Sequence, residues 1–396
     1  MKILHTIEHY YPFKGGATEA VRQISEHLVS FGHDVSISTT KNLERNFTTD
    51  RGINIIEFDI SGSSLKSYSG ETKKYQDFLI NSDFDIIMNF SSNVWCTDLM
   101  FPVFDRILSK KVLTPCGFYP LYRPEYRQYF ESMRSVVQKY DICIVNSETY
   151  RDTQFVKENH GKYVVIPNGA DEREFDFDTG VDIRDLFNIP KNNFLILLVG
   201  NHTGYKGHAE AIRIFNRANI PNSTLLIIAG NVYGRVLGPL CSINCALNSW
   251  LNRCSIRNKK MSKQIIVKND LPRSHVISAY KSANLFLFPS RIDCSPVVLF
   301  ECLASKTPFL STDVGNSREI IEWSNAGELL PTRFGNGGFC KADIAGSVEK
   351  LEQFYHSPDE LKAFAENGYR AYKEHFTWEK VAKLHERIYM KILATS

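Results

Sequence analysis

The sequence lacks the features of membrane-spanning, nucleic-acid-binding and secreted proteins. It contains no run of about 18 apolar residues, so no segment is expected to cross a membrane. Its formal net charge of +3 over 396 residues is too small to indicate a nucleic-acid partner. The opening MKILHTIEHYYPF has too few basic and apolar residues for a signal peptide, and it is interpreted as a first strand. We therefore expect a cytoplasmic protein, and peripheral contact with the inner face of a membrane stays open.

The nine cysteines are an odd number, scattered through segments that are expected to form strands and helices. Without a secretion signal, this distribution indicates reduced thiols. Cys241, Cys245 and Cys254 come nearest to a cluster, but their spacing fits no zinc pattern and no histidine lies suitably among them. The strings Asp83–Asp85 and Asp176–Asp178 lie at a strand entry and in a turn-rich segment, which favours turns over metal binding. The sequence thus predicts no metal site.

Strand patterns alternate with helical patterns along the chain, which predicts α/β architecture with parallel, doubly wound sheets. The alternation breaks at Ile166–Asp171, and an acidic, turn-rich segment follows. It restarts with the apolar strand Phe194–Val199. Two domains are expected, over residues 1–172 and 173–376, and ligands should bind at the carboxyl ends of their strands.

The stretch from Pro289 to Glu319 follows a predicted strand and opens a predicted helix. Ser295 is the candidate N-cap and Pro296 takes the first helical position. The amides of Val297 and Val298 would then point out of the helix start. Free amides and the helix dipole suit an anion, so a phosphate site is predicted here.

Two carboxylates flank this helix start. Asp293 precedes it, and Glu301 lies on the helix segment VVLFECLAS, which is apolar nearly all round. A carboxylate on such a helix is costly without a partner, and a ligand hydroxyl is one such partner. Capping or solvation of Glu301 is the alternative interpretation.

The segment Gly200–Gly207 also joins a strand to a helix. Three glycines allow close approach of a ligand, and Lys206 supplies a positive charge suited to phosphate. The segment is neither a Walker loop nor GxGxxG. A tight turn with a solvated lysine is the alternative.

Taken together, the order and spacing of several motifs resemble those of a family 4 glycosyltransferase. The matching pieces run over nearly the whole chain: Gly15-Gly16, Val165–Gly169, Gly200 with Lys206-Gly207, Phe288-Pro289-Ser290, Asp293 with Glu301, Gly315 with Glu319, and Phe376-x-Trp378-Glu379. The resemblance implies the GT-B fold, in which two Rossmann-like doubly wound domains face a central cleft. It also implies that the final helix, over residues 377–396, packs back on the first domain.

The resemblance implies a nucleotide-diphospho-sugar donor in the second domain and an acceptor in the first. Glu301 would bind the ribose, Asp293 the transferred sugar, and Lys206 the diphosphate as the third catalytic residue. The remaining donor contacts would come from Gly15, Gly16, Asn201, His202, Leu271, Ser295, Pro296, Val297 and Val298. The segment Asn269–Leu271 would read the base through its backbone. The family uses neither a protein nucleophile nor a metal, so no cofactor is expected.

Three positions depart from the family pattern. Asn201 stands where an arginine is usual, and His202 or Arg291 is proposed to replace the missing charge. Asp293 stands where a glutamate is usual. Cys116 stands in a loop where relatives place His or Arg, which puts a contact from this loop to the donor sugar in doubt.

The function expected is retaining transfer of a hexose from a UDP-sugar to a saccharide or lipid-linked acceptor, in bacterial surface polysaccharide or glycoconjugate synthesis. The alternative is an inactive GT-B subunit that binds a partner transferase or a glycan, and an epimerase ranks below both. The basic, aromatic segment Phe118–Lys139 is interpreted either as a membrane-surface acceptor site or as an ordinary half-buried helix.

Overall fold

The structure, a computed structural model, describes residues 1–13, 15–230, 232, 234 and 236–395, and only the backbone of residues 257 and 336. The chain divides into two compact units. The first comprises Met1–Gly169 and Thr377–Ser396, and the second comprises Ala170–Phe376. The sequence placed the first boundary after residue 172 and the second after residue 376.

The first unit is built on an eight-stranded sheet in the order β10-β9-β8-β7-β1-β2-β4-β3, in which only β3 runs antiparallel to its neighbour. A separate hairpin is formed by β5 and β6. The strands are β1 Lys2–Thr6, β2 Asp34–Thr40, β3 Thr49–Asp50, β4 Ile53–Phe58, β5 Ile60–Ser63, β6 Ser67–Gly70, β7 Ile86–Phe90, β8 Lys110–Thr114, β9 Ile142–Val145 and β10 Tyr163–Val165. Seven of them match strands that the alternation predicts.

Helices cover the sheet of the first unit, and their apolar faces complete its cores. They are α1 Gly16–Ser30, α2 Thr72–Asn81, α3 Trp95–Asp98, α4 Arg127–Val137 and α5 Arg151–Glu158, with 3-10 helices at Phe101–Arg106 and Pro124–Tyr126. The sequence predicts one helix over Thr97–Leu108, and this prediction is wrong. Pro102 has no N–H to donate, so the chain instead forms α3 and then a separate 3-10 turn that begins near the proline.

The second unit contains a six-stranded parallel sheet in the order β13-β12-β11-β14-β15-β16, and an antiparallel hairpin of β17 and β18. The strands are β11 Phe194–Val199, β12 Ser223–Ala229, β13 Lys263–Asn269, β14 Leu285–Phe288, β15 Phe309–Ser311, β16 Gly327–Leu329, β17 Thr332–Phe334 and β18 Cys340–Ala342. The chain leaves β11 toward β12 and β13 and then returns to β14 on the other side. Such a reversal creates a switch point between β11 and β14, where ligands bind in doubly wound sheets.

The helices of the second unit pack on both faces of its sheet. They are α6 Glu172–Phe175, α7 Ile183–Leu186, α8 His208–Arg217, α9 Leu237–Cys254, α10 Ile256–Lys260, α11 Arg273–Ser282, α12 Val297–Ala304, α13 Ser317–Ser324, α14 Ile344–Tyr355 and α15 Pro358–Ala371, with a π-helical turn at Tyr372–Phe376. The long helix α9 was not expected from the sequence, which reads there as a less regular basic segment. Its apolar residues are largely exposed, so it lacks a clear buried stripe.

The last helix, α16 Trp378–Ala394, belongs to the first unit. Thr377 caps it by accepting a hydrogen bond from the amide of Lys380. Trp378 and Tyr389 are fully buried in the core of the first sheet. The Tyr389 hydroxyl lies 3.2 Å from Nε2 of His5, on the central strand β1. The helix is therefore an integral part of this core.

Candidate functional site

Two loops of the second unit meet at the switch point of its sheet. Gly200–Gly207 follows β11, and residues 289–296 follow β14, the neighbouring parallel strand. The carboxyl ends of parallel neighbours lie at one edge of a sheet, so both loops emerge together. The amide of Arg291 donates to the carbonyl of Tyr205 at 2.7 Å, and the Ser290 hydroxyl donates to the same carbonyl at 3.3 Å. These bonds tie the loops into one structure.

Gly207 makes the close approach of the two loops possible. Its φ of +76° lies in the left-handed region, and an added Cβ would lie 2.1 Å from the carbonyl oxygen of Pro289. A side chain would meet both penalties at once, backbone strain and a clash. This glycine thus sets the position of Lys206, the residue before it.

The two loops bring together Lys206 and Asp293, which the sequence singled out from motifs 87 residues apart. The Lys206 ammonium lies 2.5 Å from Oδ2 of Asp293. Both side chains keep contact with solvent, with exposed fractions of 30% and 15%. An ammonium has three donors, so Lys206 can hold Asp293 and an anionic ligand at the same time.

The helix after these loops begins one residue later than the sequence predicts. Pro296 is the N-cap of α12 and no side chain caps the helix, so the prediction of Ser295 as cap and Pro296 as first helical residue is wrong. The Ser295 hydroxyl instead accepts a hydrogen bond from the Asn316 amide at 3.1 Å. Within the described part of the chain, the amides of Val297 and Val298 meet no hydrogen-bond acceptor, and both residues are half-buried. The start of α12 therefore offers two donors to an anion.

Glu301 is buried on α12, with 8% of its side chain exposed. Its partner within the protein is Arg273, whose Nη2 lies 2.6 Å from Oε1 of Glu301 and 2.6 Å from Oε2 of Glu174. Burial opposes the charge of Arg273, but the carboxylates of Glu301 and Glu174 outweigh it and raise the pKa of the guanidinium. The carboxylate thus has a cationic partner before any ligand hydroxyl reaches it.

Arg273 and Glu174 were missed by sequence reasoning. Arg273 opens α11, four residues after Asn269 at the end of β13 and two residues after Leu271. Arg273 could have been found from the sequence, because a charged residue just after a predicted strand lies where ligands bind in doubly wound sheets. Nothing in the sequence links Glu174 to it, because the contact spans 99 residues. Leu271 itself is half-buried and packs against the core.

Asn201 and His202 lie at the start of the Gly200–Gly207 loop. Oδ1 of Asn201 lies 2.2 Å from the position of an added Cβ at Gly230, so its side chain is directed at the next loop of the sheet. His202 is fully buried, and its ring nitrogens face Cys241 and Asn269. Replacement of the missing charge by His202 or by Arg291 stays a prediction.

Gly15 and Gly16 lie in the first unit, at the start of α1. Gly15 is extended, with φ of −169°, and Gly16 is the first residue of the helix. Neither has a positive φ. The sequence Pro12–Gly16 predicts a loop that needs unusual backbone freedom, and this prediction is wrong for the two glycines, because the helix starts directly after Gly15. A role of these glycines toward the donor stays a prediction.

Strained residues gather at the carboxyl ends of β7 and β8 in the first unit. Ser91, Asn93, Cys116 and Phe118 all have positive φ values, between 42° and 74°. Such conformations cost about 1–3 kcal/mol each and concentrate at functional sites. Burial raises the pKa of the Cys116 thiol to about 12, so this cysteine is a neutral thiol and no substitute for a cationic His or Arg.

The buried carboxyl of Asp152 forms a hydrogen bond to the strained loop that contains Cys116 and Phe118. Asp152 accepts a hydrogen bond from the amide of Gly117 at 2.8 Å. Burial raises the pKa of Asp152 to about 6. Nearby, burial raises the pKa of Asp98 to about 6, although this carboxyl accepts hydrogen bonds from two tyrosine hydroxyls, at 2.6 and 2.8 Å.

The segment Phe118–Lys139 is structured mainly by α4. Phe130, Met133 and Val137 are buried, and three basic residues of the segment pair with other side chains. Lys139, for example, pairs with Asp105 at 2.8 Å. This arrangement fits the half-buried helix of the two interpretations. None of the described helices combines the length and apolar character that crossing a membrane requires.

Four other side chains are suited to hold a metal. The expectation that no histidine lies suitably near the cysteine group is wrong, because His202 and His208 meet Cys241 and Cys245 in space. The hydrogen bond from Cys245 first, and then those from the two histidines, lower the pKa of the Cys241 thiol well below its ordinary value. Cys254 is exposed and lies apart from this group, at the end of α9.

Comparison with known proteins identifies the class of enzyme. Residues 182–371 match the family model described as glycosyl transferases group 1. An uncharacterized glycosyltransferase of Methanocaldococcus jannaschii, MJ1607, is 22% identical over 418 aligned positions that cover 98% of each chain.

Solved structures agree over the full length. Sucrose-phosphate synthase from Thermosynechococcus elongatus superposes with a TM-score of 0.80 at 18% identity and covers 100% of both chains. Anabaena Alr3699/HepE, in complex with UDP and glucose, superposes with a TM-score of 0.72 at 13% identity over 99% of this chain and 100% of that one. The fold is GT-B. Residues 182–371, just under half of the chain, match the group 1 glycosyltransferase model, and the protein is a transferase enzyme.

Proposed function

We propose that this protein is a retaining family 4 glycosyltransferase that moves a hexose from a nucleotide-diphospho-sugar to a saccharide or lipid-linked acceptor. The nucleotide proposed is UDP. The observation that carries the proposal is the Lys206–Asp293 pair at the switch point. Asp293 lies on the loop that leads into α12, where the amides of Val297 and Val298 are available to an anion. The complex of Anabaena HepE with UDP and glucose supports the choice of UDP. Synthesis of a bacterial surface polysaccharide or glycoconjugate is the proposed setting.

In this proposal the second unit binds the donor. The Lys206 ammonium and the amides of Val297 and Val298 hold the diphosphate, since they combine a cation with two unpaired donors. The Asp293 carboxylate accepts hydrogen bonds from hydroxyls of the transferred sugar. Arg273 contacts Oε1 of Glu301, and the other carboxylate oxygen of Glu301 accepts a hydrogen bond from a ribose hydroxyl. Arg273 thus orients Glu301 without touching the donor, and it is a positioning residue.

The chemistry follows from where charge develops. Cleavage of the sugar–phosphate bond places negative charge on the leaving diphosphate, and preorganised donors at that place lower the barrier by several kcal/mol. In the proposed front-face reaction, the leaving phosphate accepts the proton of the attacking acceptor hydroxyl. The sugar keeps its anomeric configuration, and neither a protein nucleophile nor a metal takes part.

A nucleotide-sugar panel tests the proposal. The purified chain is incubated with UDP-, GDP- and ADP-sugars, and thermal midpoint and nucleoside diphosphate release are measured for each. We expect a shift and release with one nucleotide class, and retention of configuration in the product by NMR. If no nucleotide or nucleotide sugar raises the midpoint, the proposal is wrong.

The alternative, an inactive GT-B subunit that binds a partner or a glycan, is favoured by Asn201 and Cys116. Neither supplies the positive charge that the family places there, and Cys116 is a half-buried neutral thiol. Donor binding without diphosphate release, for every acceptor offered, would support this alternative. Release that is lost in Glu301→Gln would exclude it.

A further inference from the structure

Four side chains with nitrogen and sulfur donors converge in the second unit, outside the proposed donor contacts of Lys206, Asp293 and Glu301. They are His202, His208, Cys241 and Cys245, and their ligand atoms all lie within 4.8 Å of one another. Three of the four residues are buried, and Cys241 is half-buried. No carboxylate belongs to the group. Such a donor set suits a soft or borderline ion and not magnesium or calcium.

The fold brings these residues together from two places in the chain. His202 lies in the loop after β11, where its backbone forms a bridge with Val232. His208 is the first residue of α8, which follows the same loop. Cys241 and Cys245 are four residues apart on α9 and so lie one turn apart on the same helix face. The cluster therefore joins α9 to both ends of the Gly200–Gly207 loop.

Two separations within the cluster are close to those of tetrahedral coordination. Sγ of Cys241 lies 3.5 Å from Nδ1 of His202 and 3.1 Å from Nδ1 of His208. Zinc bonds of about 2.3 Å to sulfur and 2.0–2.1 Å to nitrogen, at tetrahedral angles, separate a sulfur from a nitrogen ligand by about 3.5 Å. The two imidazole planes are nearly perpendicular, at 85°. Edge-on rings allow both nitrogens to face one point without clashing.

Hydrogen bonds alone satisfy this cluster poorly. Nε2 of His202 faces the amide oxygen of Asn269 at 3.3 Å, an arrangement that keeps the proton on Nε2 and leaves a lone pair on Nδ1. Sγ of Cys241 is approached by two imidazole nitrogens, and Nε2 of His208 meets no hydrogen-bond partner in the described part of the chain. The contact from Asn269 is the kind of outer partner that orients a ligating histidine.

We propose that His202, His208, Cys241 and Cys245 form a structural zinc site. Four protein ligands fill a tetrahedral shell and leave no open position, so the ion holds structure and does not activate water. Its role is to link α9 to the loop that carries Lys206, at the carboxyl edge of β11. The zinc site is argued from the geometry of its four ligands and does not depend on the proposed glycosyl transfer. Metal binding and nucleotide binding can also be measured separately.

Cobalt substitution tests the site directly. The full chain is reduced, stripped of metal with a chelator and titrated with Co²⁺. We expect one ion per chain, with thiolate-to-cobalt charge-transfer absorption and the intense visible bands of a tetrahedral complex, both removed by added Zn²⁺. Mg²⁺ should produce no change. If the unmodified chain shows no such spectrum, or binds Co²⁺ only in an octahedral form, the proposal is overturned without recourse to any variant.

Variants assign the ligands. Cys241→Ser and Cys245→Ser should each lose the cobalt spectrum, whereas Cys254→Ser, an exposed cysteine on the same helix, should keep it. Loss in Cys254→Ser with retention in Cys241→Ser would contradict the assignment. Zn²⁺ should also raise the thermal midpoint of the unmodified chain and of Cys254→Ser, and not that of Cys241→Ser. A chain that binds Zn²⁺ but no nucleotide sugar would keep this site and refute only the proposed function.

Discussion

The guanidinium of Arg273 bridges Glu301 and Glu174, with one nitrogen 2.6 Å from an oxygen of each carboxylate. This bridge links α6, α11 and α12 of the second unit. It explains how a carboxylate is tolerated on a helix that is otherwise apolar, because the charge is compensated within the protein. A ligand is then an additional partner for Glu301 and not the one on which its burial depends.

Replacing Arg273 by alanine should leave the Glu301 charge buried and unpaired. We expect a loss of about 1–3 kcal/mol in the free energy of unfolding, because Arg273 is itself partly exposed. The KM for the donor should rise more than kcat falls, since the arginine positions Glu301 and does not touch the reacting atoms. Urea unfolding and donor kinetics measure both. Glu174→Gln, which keeps the Arg273–Glu301 contact, is the control, and equal effects in the two variants would contradict this role.

Gly207→Ala should displace the loop that carries Lys206. The added methyl group would stand 2.1 Å from the Pro289 carbonyl, at a φ of +76°. Gly180→Ala is a matched control, because Gly180 has a φ of +65° but nothing within 4 Å of an added Cβ. The control should lose about 1 kcal/mol from backbone strain alone. We expect Gly207→Ala to lose clearly more in urea unfolding, and equal losses would show that the clash relaxes freely.

Lys206→Met should remove the cation proposed to stabilise the leaving diphosphate. A fall in donor-dependent turnover of about 100-fold or more is expected, in the range seen when a single transition-state donor is deleted. Lys306→Met is the control: Lys306 is exposed and pairs with Glu366 on the surface of the same unit. Turnover there should stay within about twofold, since exposed pairs contribute little. Equal turnover in the two variants would remove Lys206 from the proposed site.

Asp152 should give the first unit a defined pH dependence. Its pKa is about 6 in the folded protein, against 3.8 for an unperturbed aspartate, so the folded state binds more protons between these values. The contribution of Asp152 to stability is therefore present at low pH and is lost as the pH rises through 6. Asp152→Asn removes this titration and keeps an oxygen for the Gly117 amide.

The stability of Asp152→Asn relative to the unmodified chain should thus improve from pH 4 to pH 7, by about 2 kcal/mol. Urea midpoints at several pH values measure this difference. Asp105→Asn, at an exposed position paired with Lys139, controls for the change in net charge. A difference that does not vary with pH would show that Asp152 is ionised at low pH in the folded protein.

Local patterns predicted the regular part of the fold. The sequence pattern predicts strands Ile53–Phe58 and Phe194–Val199 and helices His208–Arg217 and Arg273–Ser282. Elements β4, β11, α8 and α11 have these same bounds, because their apolar spacing follows the period of the element. The helix α9 was missed, since its apolar residues are largely exposed and do not form a core-facing stripe. The start of α12 was misplaced by one residue, because Asn316, 21 residues away, takes the Ser295 hydroxyl that was expected to cap the helix.

For the candidate site, the sequence by itself determined which residue types stand after which strands. It pointed to Lys206 and Asp293, because both follow apolar strands in glycine- or proline-marked loops. Only the tertiary structure decided the partners: the order of the strands placed β11 beside β14, and so the lysine beside the aspartate. The partners of Glu301 and the histidines beside Cys241 were set in the same way. Such contacts join residues tens of positions apart, and their distances depend on how strands and helices pack, which no local pattern encodes.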